Sequence, residues 1–436
     1  MERMEANRNE NNKHITIIDA IMGSGKSTYI IKEINKHPEK RYLVVLPTLD
    51  ECKRYSEKIE VSTYQPQTKS TKSQDLQRLI ERNQNVVTTH ALIQQVDETI
   101  MQLLKQRNYT LVIDECLDVL HRYEKQFTSD DLRSILNDGY VIVDKSGYLV
   151  WNDSKEETMF SHEYQGRWSD IKRLCKLQSL MCLPTKEQTL VTSIVMWVFP
   201  VEFFSCFQHC YIATYLWNGS IQKNYFDLHH LSYEHKSLTS KGEELELIDY
   251  DPMLERALRR KYFDLITVCD KDSLNWIGKS KKGKENPLSS AWYKRKKNDG
   301  STLLMELKKN VSNYFRNHLK AKSADCMWTV FKNVKGHIRG QGYSKGFVPF
   351  NMKATNDYRH KSALAYCVNI FLHVDVVRFF RAHGINPNEN LYAVSEMLQW
   401  IWRSRIRDGQ PISLYLPSER MRRLLFSWAG RKIDGV

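Results

Sequence analysis

The sequence lacks the cysteine patterns that mark metal or disulfide frameworks. Its nine cysteines include no CxxC pair and none at zinc-site spacing from a histidine. Their odd number in a chain of this size also argues against a disulfide framework. We therefore expect most of them to be small buried hydrophobic residues.

Long hydrophobic runs are also missing. The most apolar stretch, residues 194–216, is interrupted by Pro200, Glu202, Gln208 and His209, whereas a membrane-spanning helix needs roughly 20 apolar residues. This stretch predicts a buried helix followed by a buried strand, and no membrane partner. The first 13 residues, MERMEANRNENNK, have no apolar core of the kind that a secretory signal needs. They predict a disordered leader and a cytoplasmic protein.

Positive charge is in excess. Lys and Arg number 65 against 51 Asp and Glu, which gives a formal net charge of +14. Such an excess suits a polyanionic partner, and nucleic acid is the one left once a membrane is disfavoured. A dense basic stretch at residues 279–297 predicts an exposed loop or a basic face. With 436 residues and 41% hydrophobic content, the chain is long enough for two or three domains.

The most informative segment, residues 14–34, has the sequence HITIIDAIMGSGKSTYIIKEI. A β-branched run, a glycine-rich loop and a helical pattern follow one another, which is the context of a P-loop. Backbone N–H groups of such a loop surround phosphates, the lysine binds the β and γ phosphates, and the hydroxyl after it reaches Mg²⁺. Ala20 stands where the strict pattern has Gly. The predicted ATP-binding residues are Gly23, Ser24, Gly25, Lys26, Ser27 and Thr28.

A second apolar strand ends in two adjacent acids. Residues 109–117, YTLVIDECL, place Asp114 and Glu115 at its carboxyl end. This pattern predicts that Asp114 holds Mg²⁺ together with Ser27. It also predicts that Glu115 is the base that activates the attacking water.

Taken together, the P-loop and the Asp-Glu-Cys segment resemble the superfamily-two helicases, which include the DEAD-box and DEAH-box proteins. Within that resemblance, Thr48 lies where motif Ia touches the nucleic-acid backbone. Thr88 and Thr89, in NVVTTHAL, lie in the threonine segment of the same domain, and Thr214, in YIATYLWNGS, lies where Ser-Ala-Thr couples the ATP state to the second domain. The long interval before Thr214 implies a helical insertion at about residues 120–190 in the first domain.

The second half has no further P-loop, and the resemblance requires none there. Strands are predicted at residues 327–333 and 345–358, and Thr355 matches motif V, which faces nucleotide and nucleic acid. Residues 396–407, EMLQWIWRSRIR, predict one helix that carries Gln399, Arg403, Arg405 and Arg407 and resembles motif VI. The helical spacing favours Arg403 and Arg407 as the arginines that neutralise charge on the γ phosphate.

The resemblance implies an α/β fold of two tandem RecA-like domains with parallel sheets, at residues 14–234 and 235–436 after the leader. It implies a helicase that uses ATP and Mg²⁺ to move along single-stranded or forked DNA, with RNA also open, and replication proteins as further partners. The Asp-Glu-Cys variant looks like helicases encoded by bacteriophages. Lys53, Arg54 and the basic stretch are candidate phosphate contacts.

Three alternatives stay open at this stage. A translocase that does not separate strands would share every motif. A packaging motor would be expected to add a nuclease domain with spaced carboxylates, and the second half has no evident acidic cluster. A binding module with an inactive P-loop is disfavoured because the predicted site residues are chemically competent.

Overall fold

The computed structural model describes residues 14–68, 71–123, 128–159, 162–183, 194–242, 244–280, 286–352 and 357–431. The expected leader, residues 1–13, lies outside them. The described residues form seventeen strands, which are β1 (His14–Asp19), β2 (Arg41–Leu46), β3 (Thr63–Tyr64), β4 (Asn85–Thr89), β5 (Tyr109–Asp114), β6 (Leu120–Arg122), β7 (Val141–Val143), β8 (Leu149–Trp151), β9 (Leu180–Leu183), β10 (Ile194–Val198), β11 (His209–Thr214), β12 (Glu234–Lys241), β13 (Glu244–Asp249), β14 (Ile266–Val268), β15 (Cys326–Thr329), β16 (Ala363–Tyr366) and β17 (Ile412–Tyr415).

The same residues form eighteen α-helices. These are α1 (Lys26–Lys36), α2 (Leu49–Lys58), α3 (Lys72–Glu81), α4 (His90–Ile93), α5 (Glu98–Arg107), α6 (Ser129–Asn137), α7 (Asp153–Met159), α8 (Ser169–Lys176), α9 (Glu202–Ser205), α10 (Ile221–Leu228), α11 (Pro252–Phe263), α12 (Asp272–Asn275), α13 (Ser290–Asn298), α14 (Leu303–Asn313), α15 (Lys335–Ile338), α16 (Val374–Ala382), α17 (Glu389–Ile401) and α18 (Glu419–Trp428).

The N-terminal domain is built on an eight-stranded sheet in the order β13-β12-β1-β11-β5-β2-β4-β3. All neighbouring pairs are parallel except β12 with β13. The central strands are nearly continuous runs of buried apolar residues, as expected for a sheet that is covered on both faces. Because β12 and β13 belong to this sheet, the domain continues to Asp249, beyond the expected boundary at residue 234.

The insertion was predicted to be helical, but it also contains strands. Between the carboxyl ends of β5 and β10 it contains a three-stranded antiparallel sheet, β6-β10-β9, a two-stranded sheet, β7-β8, and helices α6, α7 and α8. The prediction of a buried helix from residue 194 was also wrong, because Ile194–Val198 pairs with two strands as β10. Pro200 follows that strand, then the short helix α9, and then the predicted buried strand, β11.

The C-terminal domain has a four-stranded parallel sheet in the order β14-β17-β16-β15. The chain therefore has the predicted α/β architecture of two domains with mostly parallel sheets, plus an insertion in the first. The strand expected at residues 327–333 is β15, although it begins at Cys326 and ends at Thr329. The strand expected at residues 345–358 does not form in its described part, where Phe347 makes only an isolated bridge to Trp328.

Two apolar clusters cross the boundary between the domains. In the first, Phe379 and Phe380 of α16 belong to the same core as the insertion strands, although α16 follows the β16 strand of the C-terminal domain. In the second, Tyr215 and Leu216, which follow β11, lie in the core of the C-terminal domain beside Met397 and Trp428. The domains are thus packed directly against each other.

Burial of the cysteines agrees with the expectation from the sequence. Seven of the nine are buried, and only Cys116 and Cys269 are partly exposed. In the part of the chain that the structure describes, no helix combines the length and apolar character needed to cross a bilayer.

Candidate nucleotide site

The predicted site residues of the N-terminal domain meet at one edge of its sheet. Strand β1 pairs with β11 so that Asp19 lies opposite Thr214, and β11 pairs with β5 so that Ala213 lies opposite Asp114. The P-loop, Thr214 and the acid pair therefore lie at the carboxyl ends of three adjacent strands, β1, β11 and β5. This is the edge at which open parallel sheets bind their ligands.

The P-loop has the geometry that phosphate binding requires. Gly23 and Gly25 have φ angles of 82° and 96°, which L-residues rarely adopt. Gly25 is the N-cap of α1 and offers no side-chain cap, and the first turn of α1 contains no acidic residue. The hydroxyl of Ser24 is buried without a hydrogen-bond partner among the described residues. An uncapped helix N-terminus with a spare hydroxyl fits an anionic ligand.

Lys26 begins α1 and turns its ammonium group into the loop. Its Nζ donates to the carbonyl oxygen of Ala20 at 2.5 Å and of Ile21 at 3.1 Å. Desolvation inside the loop lowers the pKa of Lys26 to about 8, even though the carboxylates of Asp114 and Asp19 act in the opposite direction. The ammonium group therefore donates its hydrogen bonds to backbone carbonyl oxygens of the same loop that is predicted to bind phosphate.

The two predicted Mg²⁺ ligands, Ser27 and Asp114, lie next to each other. Ser27 Oγ donates to Asp114 Oδ2 at 2.9 Å, so the two predicted metal ligands already face each other. The buried Tyr55 also donates to this carboxylate oxygen, at 2.8 Å. Oxygen ligands of this type are the ones that Mg²⁺ takes from proteins. Glu115 has a φ of 65°, and its N–H donates to Ala213 O at 2.9 Å, which fixes the turn that carries its side chain.

The remaining predicted residues of this domain lie around the same edge. Thr48 is the N-cap of α2, and its hydroxyl accepts from Glu51 N at 3.3 Å. Thr88 is buried in β4, and Thr89 is the N-cap of α4 without a side-chain cap. The hydroxyl of Thr214 lies 3.2 Å from the sulfur of Cys116, next to the acid pair.

The arginines of the C-terminal domain do not share one helix, contrary to the prediction. Helix α17 ends at Ile401, Ser404 is extended, and a 3₁₀ helix covers Arg405–Asp408. The break occurs because Arg405 N donates to Lys361 O, just before β16, while Ile406 is fully buried in the domain core. The spacing argument for Arg403 and Arg407 therefore rested on a helix that is absent at these residues.

Both arginines nevertheless lie beside the nucleotide site. Arg403 is only 7% exposed, and its Nη1 donates to Gln399 O at 2.8 Å, while its Nε has no partner among the described residues. Burial lowers its pKa, and Glu115 opposes this shift as the first of the charges around it. A Cβ added to Gly23 would lie 3.5 Å from Arg407 O, so Arg407 packs against the P-loop. Arg405 instead donates to Pro411 O.

Other candidates lie outside this constellation or outside the described residues. Thr355 falls in residues 353–356, which the structure does not describe. Lys53 is exposed and 3.9 Å from Glu57, whereas Arg54 is hydrogen-bonded to Glu51. Of the basic stretch, residues 281–285 are not described, and its last four basic residues belong to α13.

Two residues that organise the site, Tyr55 and Asp19, were not predicted from the sequence. Asp19 is 4% exposed and accepts from Leu216 N at 2.8 Å, from Trp217 N at 3.0 Å and from His235 Nε2 at 3.1 Å. Asp19 ends an apolar strand, as Asp114 does, and it directly precedes the P-loop. The sequence signal that identified Asp114 could therefore have identified Asp19 as well.

Three family models match successive segments of the chain. Residues 1–141 match the family described as the type III restriction enzyme, res subunit. Residues 124–197 match the YonV middle domain, and residues 260–429 match the YonV C-terminal Rossmann-like domain. The first match confirms the resemblance of the N-terminal region to the superfamily-two helicases, and the second corresponds to the insertion.

One relative covers nearly the whole chain. The SPbeta prophage-derived uncharacterized protein YonV of Bacillus subtilis (strain 168) is 36% identical over 424 residues, which are 95% of this chain and 98% of the relative. Solved structures are more distant. Xpd4 of S. tokodaii has a TM-score of 0.43 at 9% identity and covers 97% of this chain and 95% of its own. DUF1998 helicase MrfA bound to DNA has a TM-score of 0.30 at 10% identity, covering 96% and 47%. The chain belongs to the YonV family, and its N-terminal domain is of the superfamily-two helicase type.

Proposed function

We propose that this protein hydrolyses ATP in the cleft between its two domains and uses the cycle to move along single-stranded nucleic acid. The observation that carries the proposal is the convergence of residues from both domains. Arg407 packs against Gly23 of the P-loop, and the buried Arg403 lies within electrostatic reach of Glu115. An arginine that reaches the nucleotide from a second domain stabilises the charge that develops on the γ phosphate, so this convergence favours hydrolysis over nucleotide binding alone.

Each predicted residue has a role that its position allows. The N–H groups of residues 23–28 and the ammonium group of Lys26 bind the phosphates, and Ser27 with Asp114 holds Mg²⁺. The ion neutralises phosphate charge when it is bound. Glu115 orients and deprotonates the attacking water, while Arg403 and Arg407 stabilise the charge that develops on the γ phosphate.

Movement follows from the connection between the domains. The segment after Thr214 lies in the core of the C-terminal domain, so a change at the γ phosphate is transmitted to that domain. We propose single-stranded or forked DNA as the track, supported by the net charge of +14. We further propose that Thr48, Thr88, Thr89, Thr355 and Gln399 contact nucleic acid or couple it to ATP. The prophage origin of the relative supports a role in phage DNA replication or recombination.

The first experiment measures ATP hydrolysis without nucleic acid and with single-stranded DNA, duplex DNA or RNA, each at low and moderate salt. Lys26→Ala is compared with Lys32→Ala, because Lys32 is an exposed lysine of the same helix. Arg403→Ala is compared with Arg405→Ala, since Arg405 donates to Pro411. In GTPases, an arginine of this kind contributes a factor of about 10³ to 10⁵ to the rate.

We expect single-stranded DNA to stimulate hydrolysis, and we expect Lys26→Ala and Arg403→Ala to abolish it while both controls retain it. Separation of a labelled fork by the wild type distinguishes a helicase from a translocase that leaves strands paired. Hydrolysis that is indifferent to every nucleic acid would overturn the motor function and leave only an ATPase. Full activity of Arg403→Ala would remove the arginine from the mechanism.

A further inference from the structure

Most of the excess positive charge of the chain lies in one segment of the C-terminal domain. Residues 290–345 contain thirteen Lys and Arg against three Asp and Glu, which is a net charge of +10 out of +14 for the whole chain. Twelve of these thirteen basic side chains are exposed. The other 380 residues together carry only +4. The charge is therefore a property of this segment and not of the surface in general.

The segment covers the face of the C-terminal sheet that is turned away from the N-terminal domain. Side chains alternate along β15, so that Met327 and Trp328 belong to two different apolar clusters. The cluster of Met327 also contains Tyr215 and Leu216 of the N-terminal domain. Every described member of the cluster of Trp328 lies in the C-terminal domain. The sheet thus separates the basic segment from the contact between the domains.

The helices of this segment are packed side by side. Helix α14 packs against both α13 and α15, and Leu307 of α14 shares its core with Trp292 of α13 and Ile338 of α15. Lys297 Nζ donates to Asn333 O at 3.4 Å, which joins the end of α13 to the turn before α15. We call the outward side of residues 290–345 the outer basic face.

The outer basic face has charge that a ligand can use. Lys308 of α14, Arg316 just after it and Arg339 just after α15 are exposed, and none of them forms an ion pair with another described residue. Lys309 has an acidic neighbour, Glu306, at 4.0 Å. A surface with so few acids among its cations attracts a polyanion, and phosphates spaced along a backbone match cations spaced along helices.

The same face has no surface for stacking bases. No aromatic side chain of residues 290–345, all of which the structure describes, is exposed. Phe347, just beyond them, is covered by Lys335 Nζ at 4.4 Å from its ring centroid. Proteins that bind single strands combine a basic groove with aromatic side chains on which unpaired bases stack. Paired bases need no such surface, because a duplex can be bound through its phosphates alone.

We propose that the outer basic face binds the phosphates of the double-stranded arm of a forked DNA. The proposal rests on the proposed function, in which the single strand is bound at the helicase motifs, and it gives the duplex a site of its own. Helix α14 has 11 residues and is about 16 Å long. A duplex carries one charge per about 1.7 Å of its axis, so this helix alone lies along several phosphates. Phosphate contacts carry no sequence information, so the binding does not depend on base sequence.

The test measures binding of a labelled, blunt-ended DNA duplex at several salt concentrations without ATP, so its result depends neither on hydrolysis nor on a single-strand site. The outer-face variant replaces four exposed cations: Lys308→Gln, Arg316→Gln, Lys332→Gln and Arg339→Gln. The control variant has the same net charge but replaces four exposed cations of the N-terminal domain: Lys32→Gln, Lys58→Gln, Arg82→Gln and Lys105→Gln. A single strand of equal length is the second ligand, and thermal unfolding confirms that each variant is folded.

We expect the outer-face variant to bind the duplex more weakly and with a smaller dependence on salt. Each lost phosphate contact lowers the slope of log affinity against log salt by about 1, so four contacts lower it by about 4. The control variant should keep the slope of the wild type. With a saturating single strand, the outer-face variant should also keep the ATP hydrolysis of the wild type.

Three results would overturn the proposal. They are an unchanged slope in the outer-face variant, an equal fall in the control variant, and a loss of affinity that is greater for the single strand than for the duplex. Failure of the proposed function gives a different result. Duplex binding that depends on the outer basic face, in a protein whose ATP hydrolysis ignores single strands, would support this site and refute only the motor.

Discussion

The position of Lys26 predicts that ATP binding weakens as the pH rises from 7 to 9. Its ammonium group is desolvated in the P-loop, and this lowers its pKa to about 8 in the nucleotide-free protein. A lysine with this pKa is about nine-tenths charged at pH 7 and about one-tenth charged at pH 9. If only the charged form binds the β and γ phosphates, the apparent affinity for ATP falls about tenfold over this interval.

The sign of the linked proton follows from the same argument. Phosphate beside the ammonium group favours its charged form, so binding raises the pKa of Lys26. At pH 9 the protein should therefore take up close to one proton for each ATP bound, whereas at pH 7 it should take up almost none. Isothermal titration calorimetry in two buffers of different ionisation enthalpy measures this number directly.

The matched variant is Lys26→Arg, because an arginine stays charged over the whole range. We expect weaker binding overall from the larger side chain, but no dependence on pH between 7 and 9. An affinity of the wild type that stays constant from pH 7 to pH 9, without proton uptake at pH 9, would refute the reasoning. It would mean that Lys26 is fully charged before ATP arrives.

Three further predictions concern residues around the site and the insertion. Gly25→Ala should abolish ATP binding and destabilise the fold, because φ at this position is 96° and the new Cβ would lie 2.9 Å from Leu245. Adding Leu245→Ala should relieve the steric contact but not the backbone strain, and measurements of ATP binding and thermal unfolding test both effects. Tyr55→Phe removes a 2.8 Å hydrogen bond to the aspartate of the acid pair, and should lower the free energy of unfolding by about 1 kcal/mol in denaturant titrations and raise the Mg²⁺ concentration needed for hydrolysis. Arg122→Ala removes the arginine whose Nη1 lies 3.2 Å from the buried carboxylate of Asp375 on α16, and it should lower the free energy of unfolding by about 1–2 kcal/mol. An unchanged unfolding midpoint would contradict this contact.

The grouping of the candidate site residues in the N-terminal domain could be predicted because their sequence signals are local. The P-loop lies in a short segment whose strand, loop and helix can be predicted from neighbouring residues, and the acid pair lies at the end of a short apolar strand. Asp19 shows the limit of this reasoning. It carries the same strand-end signal, but its partners are the N–H groups of Leu216 and Trp217, almost two hundred positions away in the sequence. Its role as the residue that joins the P-loop to the segment after Thr214 depends on tertiary structure alone.

The C-terminal domain was harder to predict, because its local signals compete with packing. No glycine or proline lies between Gln399 and Arg407, so the sequence indicates that the helix continues. It ends at Ile401 because the backbone of Arg405 pairs with Lys361. In its described part, the strand predicted at residues 345–358 fails for a related reason: Gly346 lies closely against the backbone of Cys326, and of the described residues there only Phe347 pairs.

The position of α16 limits how this chain can be divided into autonomous pieces. Phe379 and Phe380 are fully buried in the same core as the insertion, yet they lie more than one hundred residues beyond the end of the N-terminal sheet. A fragment that stops at Asp249 would leave an apolar surface of the insertion bare, and such surfaces promote aggregation. We therefore expect such a fragment to be less stable than the same residues in the full chain. We expect an insertion or a circular permutation near α16 to disturb the core of the insertion as well as the C-terminal domain.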